Sequence, residues 1–60
     1  MVKKGDILVC RGMTLRVVDA RANWIKCEYL DKNGEWKPRA VTENRKRIEM
    51  GLADGTITKH

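Results

Sequence analysis

The side chains with the most evident chemistry in this sequence are cations: Lys37 and Arg39, followed closely by Arg45, Lys46 and Arg47. Lysine and arginine at this density neutralise phosphates and release condensed counterions, which gives an affinity that falls with salt. Trp24, Tyr29 and Trp36 precede or accompany the cations, and an exposed aromatic ring stacks on a nucleobase for about 1–3 kcal/mol. Glu35, Glu43 and Glu49 are interleaved with the basic residues. The competing reading is therefore a solvated, partly neutralised face with Trp36 and Tyr29 in the core. Across the chain, thirteen Lys and Arg against eight Asp and Glu give a formal charge of +5, which speeds encounter with polyanions. A charge of that size is also ordinary for the solubility of a small domain.

Other chemistries lack their parts. General acid–base catalysis needs a positioned pair, such as His with a carboxylate or two carboxylates in unlike environments. The sole histidine is His60, and Asp6, Asp19 and Asp31 fall at turn positions, where Asp commonly caps the backbone. There is no phosphate-binding loop of the Walker kind, and neither Cys10 nor Cys27 has a histidine nearby to activate it. A structural zinc site wants four ligands at paired short spacings, which two distant cysteines do not supply. No enzyme activity, metal or cofactor is expected. No apolar run reaches the length of a membrane span and no signal-peptide pattern is present, so the expected location is cytoplasmic and the cysteines are expected to be core thiols.

The elements that must position the cations are short. Sixty residues make one domain, residues 1–60, and such a chain buries roughly 60% of the surface its unfolded form exposes. Gly5-Asp6 is a turn pair leading into Ile7-Leu8-Val9-Cys10, a buried strand closed by Arg11-Gly12. From Met13 to Ala20, Met13, Leu15 and Val17 share one face, with Thr14 and Arg16 on the other. Val18 breaks this alternation, so the strand bends there or its second face is partly covered.

Ile25, Cys27 and Tyr29 alternate with Lys26 and Glu28, the clearest period-two signal in the chain and the expected central strand. Asn33-Gly34 suits two consecutive residues at positive φ and predicts a hairpin. The following strand, Glu35 to Val41, places Trp36 and Ala40 opposite Lys37 and Arg39, and Pro38 marks it as an edge strand or a bulged one. Thr42 or Asn44 caps one or two helical turns, with Ile48 and Leu52 inward and Arg45, Lys46 and Arg47 mostly outward, ending near Gly51 or Asp54-Gly55. Residues 55–60 form either a short last strand or a frayed tail.

This pattern predicts an all-β fold, a small closed or half-closed barrel of four to five short antiparallel strands with one short helical turn near the C-terminus. Closure would remove sheet edges open to aggregation. The order of elements is similar to SH3-like barrels, including the KOW-type modules of translation and transcription proteins. Lys4-Gly5-Asp6, Gly12-Met13-Thr14 with Val17, Cys27-x-Tyr29 and Trp36 resemble the YodC-like family of very short bacterial proteins. Tyr29 stands where that family usually has an indole, and the basic segment from Thr42 onward is a further departure. The resemblance implies a fold and brings no activity with it.

The expected function is a non-catalytic module that binds RNA or DNA backbone through Lys37, Arg39, Arg45, Lys46 and Arg47. The alternative is a protein-contact or self-association module, including an accessory protein of a mobile element acting on a host machine. It rests on Trp24, which has the opposite parity from Ile25 and is outside the core by alternation, with Leu30 completing an exposed patch. Packing of Trp24 beneath the helical segment against Ile48 or Leu52 is the remaining possibility, and parity does not separate the two.

Overall fold

In the computed structural model, which describes residues 1–60, the first apolar run forms β1 (Ile7–Cys10) and the second forms β2 (Met13–Ala20). The two pair antiparallel with Cys10 opposite Met13. Only Arg11 and Gly12 lie between them, at φ 54° and 75°. Two consecutive positive φ values mark the type I′ turn, whose twist matches that of the flanking strands.

β2 pairs with β3 (Trp24–Leu30), matching Leu15 to Tyr29 and Val17 to Cys27, then Asp19 to Lys26 and Ala20 to Ile25. The register shifts by one residue at Val18. This bulge is the physical content of the broken alternation: without it, Asp19 would follow Leu15 and Val17 into the core. With it, Ala20 packs against the core and Asp19 is turned out to meet the Arg21 guanidinium at 3.3 Å.

The hairpin after β3 differs from the expected two-residue turn. Only Gly34 has positive φ, and Asp31 organises the loop by accepting hydrogen bonds from the Asn33 and Glu35 N–H groups at 2.9 Å each. An Asp side chain that caps its own turn removes the need for Asn33 to enter the left-handed region. The returning strand, β4 (Trp36–Pro38), is shorter than the expected Glu35–Val41 and lies at the edge of the sheet, consistent with a proline that donates no ladder hydrogen bond.

The chain then returns to β3 as β5 (Glu43–Asn44), opposite Trp24 and Ile25, an element with no signature in the sequence. Asn44 caps α1 (Arg45–Asp54), accepting from the Arg47 N–H. The helix is longer than the expected one or two turns. It buries Ile48 and Gly51, packs Leu52 against the core and stops at Gly55, in the left-handed conformation. Residues 57–59 form β6 (Ile57–Lys59) against β1, so the last residues make a strand rather than a tail.

The sheet order is β4-β3-β2-β1-β6, all antiparallel, with β5 beside β4 along the same edge of β3. β6 pairs with neither β4 nor β5, so the sheet is not closed; α1 packs between β5 and β6 and fills part of the seam. The core comprises Val2, Leu8, Leu15, Val17, Ile25, Cys27, Ile48 and Ile57. Val2 is the member that periodicity misses, since it precedes the first strand. Its carbonyl accepts from Arg45 Nη1 at 3.1 Å, and the Met1 carbonyl accepts from Lys59 Nζ at 3.0 Å, which straps the N-terminal segment down. Both cysteines are free, Cys27 buried and Cys10 half-buried.

Candidate nucleic-acid interface

The five cations singled out in the sequence do not form one patch. Arg39 and Arg47 border a concavity in the unclosed seam, whereas Arg45 and Lys46 border a second one between α1 and the β2–β3 turn. Lys37 borders neither. Three of the five are also paired: Lys37 with Glu35 at 3.1 Å, Arg39 with Glu43 at 2.7 Å and Arg45 with Glu49 at 3.0 Å. Arg45 is a structural hub rather than an outward cation, because its Nε also donates to the Arg21 carbonyl at 2.7 Å and its Nη1 to that of Val2.

Pairing redistributes the charge of the whole surface. Six carboxylates are in ion pairs, those of Asp6, Asp19, Glu28, Glu35, Glu43 and Glu49. The other two, Asp31 and Asp54, cap turns. Every acid is therefore engaged. The cations left without a carboxylate are Lys3, Lys4, Arg11, Lys26, Lys32, Lys46 and Arg47, so the excess positive charge resides on them. Lys26, Lys46 and Arg11 are the informative members, and only Lys46 was singled out by the sequence. The signal for Lys26 was available in the parity of β3, which places it on the same face as Trp24.

The aromatic residues divide three ways. Tyr29 packs against the core. Trp36 lies across from Leu30 on the outer face, and the Arg16 guanidinium covers its ring at 4.5 Å while also donating to Glu28. Such a stacked cation leaves that side of the indole unavailable to a base. Trp24 is 37% exposed on the outer face and is not part of the core cluster that holds Ile48. Leu30 is also exposed, but it lies six residues further along β3, roughly 20 Å from Trp24 at the rise of a strand, so the two do not make one patch. Lys26 is the next residue on the Trp24 face, Asn44 is the cross-strand neighbour, and Lys46 with Asn23 borders the adjoining concavity of about 400 Å³.

Burial pushes the Cys27 thiol up, with the Glu43 carboxylate adding to the effect and Arg39 opposing it. Backbone hydrogen bonds lower Asp6, through the Lys3 N–H, and Asp54, through the Thr56 N–H. No three or more His, Cys, Asp and Glu side chains come together as a metal-holding group, and no helix is long and apolar enough to cross a membrane. Comparison with known families, curated proteins and solved structures finds no match.

Proposed function

We propose that this chain is a small SH3-like barrel that binds the backbone of RNA or DNA, with little sequence preference, through the surface made by Trp24, Lys26 and Lys46. The return of β6 to β1, with α1 bridging the seam, supports the barrel reading. The observation that carries the binding reading is that six of the eight side-chain carboxylates are held in ion pairs, while Lys26, on the Trp24 face of β3, and Lys46, at the adjoining concavity, have no ion partner. The cations supply salt-dependent affinity and the indole a stacking platform that tolerates any base. Compared with the set of five read from the sequence, Lys46 stays and Lys26 enters; Lys37, Arg39 and Arg45 are held in ion pairs, and Arg47 lies apart at the seam concavity.

Anisotropy titration of a labelled single-stranded oligonucleotide at two salt concentrations tests this. The Lys26→Gln/Lys46→Gln pair should weaken binding and flatten the log–log salt slope by about 1.4 units, at about 0.7 per neutralised phosphate of a single strand. Trp24→Ala should weaken binding with the slope unchanged. Absence of binding at low salt, or a slope indifferent to the double substitution, would remove the proposal.

A further inference from the structure

Going beyond the nucleic-acid reading, we infer that the concavity of about 830 Å³ in the unclosed seam is a docking groove for an acidic, aliphatic segment of a partner protein. The groove has two lips, the β1–β2 turn carrying Arg11 and the face of α1 carrying Arg47 and Met50. Its floor is aliphatic, made of Leu15, Ile48 and Ile57 with Met13 toward the rim. Met13 and Met50 are 40% and 60% exposed. Exposed thioethers are flexible and polarizable, and reshape to fit apolar side chains.

The charge available in the groove is positive. Glu43 is held by Arg39, and the Asp54 carboxylate accepts from the Thr56 N–H at 2.9 Å and from its hydroxyl at 2.7 Å. Arg11 and Arg47 have no ion partner, one on each lip. Arg39 holds Glu43 through one terminal nitrogen and is only weakly engaged through its others. The second terminal nitrogen donates to Met13 Sδ at 3.0 Å, a weak acceptor, and its buried Nε makes no hydrogen bond. Free guanidinium groups such as those of Arg11 and Arg47 favour carboxylates, which they grip in a fork. No aromatic side chain lines the groove, so it offers aliphatic packing and no stacking platform. That composition favours a peptide with alternating acidic and aliphatic residues over a nucleobase.

Arg11 adds an independent observation. It is the only non-glycine residue at positive φ, a conformation that L-residues adopt against steric resistance and that Asn and Gly accept far better. The turn thus carries the Arg11 guanidinium on the lip of the groove at a backbone position where asparagine or glycine would be less strained.

Titration of the full chain with a labelled peptide of alternating Glu and Leu provides the test. Binding should weaken with added salt. Arg11→Asn and Arg47→Gln should each raise Kd about tenfold, the loss of one well-placed charged contact, while Arg11→Asn raises the melting temperature because the turn relaxes. A peptide of alternating Lys and Leu should not bind. The Lys26→Gln/Lys46→Gln protein should bind the acidic peptide as the parent does, which keeps the fate of this groove separate from that of the nucleic-acid surface. Failure of the acidic peptide to bind, full affinity in Arg11→Asn, or an equal loss of oligonucleotide affinity in Arg11→Asn and Arg47→Gln would overturn the inference.

Discussion

Gly51 of α1 and Ile57 of β6 approach so closely that a Cβ on Gly51 would lie 2.5 Å from Ile57 Cδ1 and 2.7 Å from its Cγ1. The helix thus meets the last strand through a glycine because no larger residue fits the contact. Replacing a helical glycine by alanine ordinarily gains about 1 kcal/mol, whereas forcing an extra methyl into a packed site costs about 1–3 kcal/mol. Ile57 is buried and stiff at χ1, so the steric cost should win. Gly51→Ala is expected to lower the urea midpoint, and Ile57→Val, which removes Cδ1, should recover part of the loss in the double variant. A more stable Gly51→Ala protein would show that the helix moves away freely.

Arg45 joins three parts of the chain: Val2, the β2–β3 turn through the Arg21 carbonyl, and Glu49 on its own helix. Hydrogen bonds from a charged group contribute about 1.5–3 kcal/mol, and Arg45→Gln should remove roughly that much. In a domain of this size the corresponding fall in melting temperature is about 4–8 °C per kcal/mol. Oligonucleotide affinity, measured well below the melting transition, should change less than in Lys46→Gln. The reverse order would place Arg45 at the interface after all.

Asp6 accepts from the Lys3 N–H at 2.9 Å and pairs with Lys59 at 3.2 Å, and the backbone hydrogen bond is the larger cause of its lowered pKa. A carboxyl whose pKa is depressed by folding stabilises the native state above its unfolded value of about 3.9, and that contribution disappears as pH falls through the folded value. Asp54 acts in the same direction through Thr56. Stability should therefore decline below about pH 4. Asp6→Asn should be less stable than the parent at neutral pH, with the gap narrowing in acid. Urea melts at several pH values read this directly, and a gap independent of pH would contradict the assignment.

The two thiols should react differently. The thiolate is the nucleophile, and burial holds Cys27 in its neutral form behind the core while Cys10 is half-buried at the groove. A chromogenic disulfide reagent should modify Cys10 in the native protein and Cys27 only as the chain unfolds. Native-state labelling that persists unchanged in Cys10→Ala would contradict this.

β1 was legible as a short apolar run between turn residues, and β2 and β3 from residues two apart, because a strand presents alternate side chains to water and to the core whatever lies beside it. The helix ends were legible as pairs of candidates, Thr42 or Asn44 for the cap and Gly51 or Asp54-Gly55 for the stop, since each concerns groups within one turn of the chain; the structure takes Asn44 and Gly55. The bulge at Val18 left only a fault in the alternation. Its register needed Ala20 to find Ile25. Val2 and β5 left no trace, because a buried residue outside any periodic run and a two-residue strand are defined only by what packs against them.

Local composition established how many cations and carboxylates the chain holds, and hence its net charge. The tertiary structure alone decided which of them neutralise each other. Arg16 meets Glu28 from the neighbouring strand, and Lys59 meets Asp6 across nearly the whole sequence. Ion pairing acts over a few ångströms of space and is indifferent to separation along the chain. The free charges could be named only after register and helix placement had brought those partners together.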